Sequence, residues 1–184
     1  MSDPLSAIIL GGVIILLIIA SAFFSSAETA LTAASEPRIR QLAKTGNKQA
    51  IRVEQLRHDR EKLISTILIG NNAVNVLASA IATSAAIALT GDSGVVLATL
   101  FMTVVLVLCA EVLPKSYAFN HADKFSLKIA LTVQILVFLL TPLSWAVRSI
   151  VVFMLGTPDS DTDKREEELR GLIDLHVNET DEEG

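Results

Sequence analysis

The sequence predicts an all-α integral membrane protein, and three observations carry that prediction. The 184 residues are 51% hydrophobic with a mean hydropathy of +0.53, outside the range of an ordinary soluble domain. Four stretches hold no charge for the length of a span: 4–27, 63–91, 93–110 and 129–147. Roughly 20 apolar residues cross a bilayer as a helix. The connectors between these stretches differ sharply in charge, and that sets a topology.

The first stretch has no basic n-region and is too long for a signal-peptide core, so it reads as a retained helix, about 5–33. The next connector carries eight bases between Glu36 and Lys62. It reads as two short amphipathic helices over 36–60. Ile39, Leu42 and Ala43 share one face, Ile51 and Leu56 another, and Gly46–Asn47 form the break. The second span covers about 62–90 and the third about 94–118. The short connector between them, 90–94, holds only Asp92. The connector at 115–128 holds three bases and Asp123. The positive-inside rule places both basic connectors in the cytoplasm and the N-terminus outside. The fourth stretch leaves two topologies open. If it spans, the tail is outside; if it dips in and returns, the tail is cytoplasmic. Pro142 near its middle can kink it.

Composition excludes several classes. From Asp159 to Glu183 there are eleven acids against three bases. Bases concentrate in the membrane-flanking loop, and no basic face supports nucleic-acid binding. The single cysteine, Cys109, rules out an intrachain disulfide and a multi-cysteine metal site. No HExxH, no GxSxG and no carboxylate pair at matching depth supports an enzyme. His58, His121 and His176 all fall outside the apolar runs.

The most informative polar residue is Glu111, at the end of an apolar run and just before Pro114. A carboxylate at bilayer depth costs at least about 2.5–3.5 kcal/mol, so it needs a partner, a proton or an ion. On the first helix Ser21, Ser25 and Glu28 are spaced i, i+4, i+7, on one face. On the second, Ser65, Asn72, Asn75 and Ser79 share a face, with Asn71 beside them. Gly70 permits close backbone approach there. Pro114 lacks an N–H, which leaves the carbonyl of Ala110 without its helical partner. These are all oxygen donors, suited to Mg²⁺, Ca²⁺ or Na⁺ and not to Zn²⁺ or Cu⁺. Two structural readings stand beside this one. Ser and Asn often simply bond between membrane helices, at about 0.6 kcal/mol each. Lys115, one turn after Glu111, is a rival partner for the carboxylate. Gly11–Gly12 mark close helix packing, as at a dimer interface.

The segments SAFFSSAETALTAAS, IGNNAVNVLASA and AEVLPKSYA occur in that order. In order and spacing they resemble the transmembrane domain of the CorC/CorB and cyclin M (CNNM) family of magnesium transporters, over about residues 5–155. The resemblance implies a homodimeric Mg²⁺ exporter coupled to Na⁺ influx. It implies three transmembrane helices, a pair of short cytoplasmic helices and a kinked juxtamembrane belt helix at 126–156, which would leave the C-terminus cytoplasmic. The transmembrane domain is then 1–156. The metal site it implies takes Ser21 and Ser25, the Gly70–Asn72 region, Asn75, Ser79 and Glu111. The expected location is a bacterial inner (plasma) membrane. Family members continue into paired CBS modules that bind ATP; this chain has no ATP site. The acidic stretch 157–184 resembles the start of the linker to them, so truncation is expected.

The leading functional expectation is therefore a Mg²⁺ transporter working by alternating access. The competing one is a Mg²⁺-sensing scaffold that uses the same residues to bind without transport.

Overall fold

The computed structural model describes residues 4–155, and their regular structure is entirely helical. Helix α1 is Pro4–Ala33, α2 is Glu36–Lys44, α3 is Lys48–His58 and α4 is Arg60–Thr90. A 3₁₀ turn, Gly91–Ser93, leads into α5 (Gly94–Val105). A π-helical segment, Leu106–Val112, joins α5 to α6 (Leu113–Asn120), and α7 is Ala122–Leu155. The acidic stretch 157–184, expected to be a linker with a helix near 164–177, lies outside the described residues.

Four runs are long and apolar enough to cross a membrane: Leu5–Ala33, Lys62–Thr90, Gly94–Asn120 and Ala122–Leu143. The count of three spans expected from the sequence is thus not matched as it stands. The fourth run is the start of α7, which begins four residues before the expected belt. Length and apolarity are shared by a helix that crosses a bilayer and one that lies along it, so composition does not separate them. Large apolar side chains point outward along these runs: Ile8 is 72% exposed, Val96 74% and Phe138 82%. Such surfaces suit lipid and not water.

The hairpin of α2 and α3 is closed by backbone chemistry. Gly46 takes φ +85°, in the left-handed region that favours glycine. Its N–H donates to the Ala43 carbonyl at 3.0 Å, and the Asn47 N–H donates to Leu42 at 3.1 Å. That pair is a Schellman motif ending α2. The Asn47 side chain then caps α3, its Oδ1 accepting from the N–H of Gln49 and Ala50 at 2.9 and 3.2 Å. The buried face of α3 is Ala50, Val53 and Leu56. Ile51, expected on that face, is 37% exposed instead. It stands one residue, about 100°, from Ala50, and α3 turns its alanine and valine inward.

The main core lies where the hairpin meets the later half of α1. Leu31 of α1, Ile39 of α2, Val53 of α3, Ile67 of α4 and Val133 of α7 are buried in one cluster. Two side chains clasp the end of α1. Arg57 Nη1 donates to the Ala34 carbonyl at 3.0 Å. Asp123, in the first turn of α7, accepts from the Ser35 N–H at 2.8 Å and from Arg38 Nη1 at 3.1 Å. Residues through Ser144 form one compact unit; Trp145 begins a second, of which the end of α7 is described.

Candidate cation site

Helix α1 touches α4 and also meets the π-helical segment and α6. The polar stripe of α1 lies in these contacts. Ser21 and Ser25 are fully buried, and Glu28 is half-buried. Ser21 Oγ donates to Asn71 Oδ1 on α4 at 2.8 Å. Seven residues later, Glu28 Oε2 lies 3.6 Å from Lys115 Nζ on α6. Ser25 sits between these two cross-links, about one turn from each. Its Oγ is buried and has no hydrogen-bond partner.

Helix α4 presents Gly70, Asn71 and Ala78 as buried residues on the side that includes Ile67. Asn71 is the buried amide, 8% exposed, whereas Asn72 is exposed. The sequence reading placed Asn72 in the site. The one-residue step between them rotates the side chain by about 100°, and packing against α1 selects Asn71. The signal that could have found Asn71 is its spacing of four from Ile67 and seven from Ala78, a small-residue packing face. Asn75 and Ser79 are half-buried, and Asn75 Oδ1 is itself buried without a partner. Gly70 is placed by packing. A Cβ there would lie 2.7–2.8 Å from the Phe24 ring and 3.2 Å from Leu140 Cδ1.

Glu111 lies on the π-helical segment and is half-buried. The Leu113 N–H donates to the Leu108 carbonyl, five residues back and not four. This slip in register comes immediately before Pro114, which cannot donate at all. The Glu28–Lys115 pair joins α1 to α6, and Glu111 stands four residues before Lys115 on the same run. Among the described residues no ion pair includes Glu111, and Lys115 pairs with Glu28. No group of three His, Cys, Asp or Glu side chains gathers among the described residues. The arrangement offers a single carboxylate with hydroxyl and amide oxygens.

The sequence matches the family described as the cyclin M transmembrane N-terminal domain over residues 12–183. The chain belongs to that family. Similar curated proteins include the UPF0053 inner membrane protein YfjD of Escherichia coli K12, 38% identical over 157 residues. That alignment covers 82% of this chain and 37% of the relative. A UPF0053 protein of Haemophilus influenzae is 35% identical over 177 residues, covering 94% of this chain and 42% of the relative. A DUF21 domain-containing chloroplastic protein of Arabidopsis thaliana is 38% identical over 120 residues, covering 65% of this chain and 18% of the relative. The chain thus spans less than half the length of these relatives. In this cyclin M domain the three motif segments fall on α1, on α4 and on the run from the π-helical segment into α6. Two polar pairs, Ser21–Asn71 and Glu28–Lys115, join α1 to the other two.

Proposed function

We propose that this cyclin M domain is a Mg²⁺ transporter, an exporter coupled to Na⁺ influx, working by alternating access. One observation carries the reading: among the described residues two buried oxygens, Ser25 Oγ and Asn75 Oδ1, have no partner, and Glu111 on the widened turn forms no ion pair. An unpaired buried oxygen costs about 1–3 kcal/mol, and a hard cation removes that cost. Mg²⁺ needs oxygen ligands at about 2.0–2.1 Å and keeps part of its water shell. Glu111 supplies the charge; Ser21, Ser25, Asn75 and Ser79 supply neutral oxygens. Ser21 Oγ donates its hydrogen to Asn71 in the state described, which leaves its lone pairs open to the ion.

The rest of the reading is topological. The N-terminus is outside, the C-terminus cytoplasmic, and α7 lies along the membrane as a belt. The outward apolar faces serve lipid and a second copy of the chain. The Escherichia coli relative is described as an inner membrane protein, which supports the same location here. No enzymatic step and no ATP site in this chain are part of it.

The test is Mg²⁺ flux through the purified protein in liposomes, with Glu111→Gln beside the parent. Loss of at least about tenfold in flux, with the fold intact, is expected for a site built on one carboxylate. Unchanged flux in the variant sinks the site. Mg²⁺ binding that Glu111→Gln abolishes, with no flux in the parent, favours a sensing scaffold. Replacing external Na⁺ by a large inert cation tests the coupling, and export indifferent to that swap refutes it.

A further inference from the structure

We infer that the cleft between the end of α1 and the start of α4 binds the anionic headgroup of a membrane phospholipid, with Arg57 and Arg60 contacting its phosphate. The cleft encloses about 150 Å³ and is lined by Leu31, Thr32, Arg57, Arg60, Leu63 and Ile64. It lies at one membrane boundary, because the runs Leu5–Ala33 and Lys62–Thr90 end and begin beside it.

The lining has two chemistries. Arg57 and Arg60 carry the charge, and among the described residues no carboxylate lines the cleft. Leu31, Leu63 and Ile64 form an apolar wall. Ile64 is 40% exposed, and Leu68, one turn further into the span, is 51% exposed. A headgroup at the arginines therefore has an apolar track beside it for the start of an acyl chain. Free phosphate has no use for that track, which is why the occupant is a lipid.

The arginines are also available. Two arginines of the hairpin are matched: Arg40 pairs with Glu36 at 2.8 Å and Arg38 with Asp123 at 3.1 Å. Among the described residues no carboxylate pairs with Arg57 or Arg60. Arg57 spends one donor on the Ala34 carbonyl, which fixes the guanidinium while leaving its other N–H groups. A fixed guanidinium fork matches phosphate oxygens in a bidentate way. Basic pockets between membrane helices take phospholipid headgroups on this principle. A larger neighbouring cleft of about 510 Å³ shares both arginines, but Glu36 and Glu54 line it and oppose an anion.

The test uses the full chain in detergent, with phosphatidylglycerol or phosphatidylcholine of the same acyl chains added, and native mass spectrometry to count retained lipid. Phosphatidylglycerol should be retained preferentially. Arg60→Gln should lower its retention roughly fivefold, and Arg57→Gln with Arg60→Gln roughly 25-fold. Lys44→Gln, a base at the far end of α2, should change nothing. If the loss of the Arg57–Ala34 bond unfolds the double variant, Arg60→Gln alone decides. Equal retention of the two lipids, or an equal loss with Lys44→Gln, overturns the site. Inorganic phosphate in excess is the last arm. Displacement of phosphatidylglycerol by phosphate alone would show that free phosphate, not lipid, is the ligand.

Discussion

Lys115 reaches across from α6 to Glu28 on α1, at 3.6 Å, and not to Glu111 one turn earlier on its own run. The partner that helical spacing offers is passed over for one on a neighbouring helix. The widened turn at Leu106–Val112 changes the angular relation between Glu111 and Lys115. A carboxylate without a countercharge is what a cation site requires, so this pairing bears directly on the proposed transport.

Lys115→Gln separates the two roles of that lysine. Glu28 and Lys115 side chains are 33% and 44% exposed, so their pair contributes at most about 1 kcal/mol. The variant should melt within a few degrees of the parent and bind Mg²⁺ within about fivefold of it. A gain in Mg²⁺ affinity well beyond tenfold, by isothermal titration, would mean that Lys115 neutralises Glu111 after all.

Ser25→Ala should move stability and ion affinity in opposite directions. The hydroxyl is fully buried and unpartnered, so deleting it removes a desolvation cost of about 1–3 kcal/mol. In Mg²⁺-free buffer the variant should resist thermal unfolding better than the parent. With Mg²⁺ its affinity should fall by about tenfold or more, because a ligand oxygen is gone. A variant less stable without the ion would show that the hydroxyl serves the fold and not a cation.

The helical spans were legible in the sequence because a bilayer demands long charge-free runs, and such runs are visible without neighbours. The break between α2 and α3 was legible too, since Gly46 and Asn47 have local reasons for standing there. What was hidden depends on neighbours. Whether Asn71 or Asn72 faces α1, and whether Ala50 or Ile51 faces the core, turns on a rotation of about 100° that packing decides. Pro114 announced a fault in the hydrogen-bond ladder, but not that the helix would widen before it over Leu106–Val112. Gly70 was read as permitting close approach and, by resemblance, as part of the metal site; what the sequence did not disclose is that the Phe24 ring is the group packed against it.

Gly70→Ala tests that packing role. The added methyl would meet the Phe24 ring at 2.7–2.8 Å, with Leu140 at 3.2 Å blocking one route of escape. Overpacking of this kind costs about 1–3 kcal/mol, which exceeds or matches the roughly 1 kcal/mol that Ala gains over Gly in a helix. In a Phe24→Leu background the ring is gone, and the same change should become neutral or stabilising. Equal effects in the two backgrounds, by denaturation in detergent, would remove the ring contact as the reason for glycine.

Asp123→Ala and Arg38→Ala form the last comparison. Asp123 accepts from both the Ser35 N–H and Arg38, and so ties the start of α7 to the junction of α1 and α2. Its side chain is 25% exposed, whereas that of Arg38 is 61% exposed. Removing Arg38 deletes one solvent-screened pair and should cost well under about 1 kcal/mol. Removing Asp123 also leaves the Ser35 N–H without its acceptor, so the cost should reach about 1–2 kcal/mol. Asp123→Asn keeps an acceptor oxygen for Ser35 and should recover most of that difference. Hydrogen exchange at the Ser35 amide reads the contact itself: exchange should quicken in Asp123→Ala and stay slow in Arg38→Ala. If the two alanine variants lose the same stability, the ion pair, and not the backbone clasp, holds α7 to the hairpin.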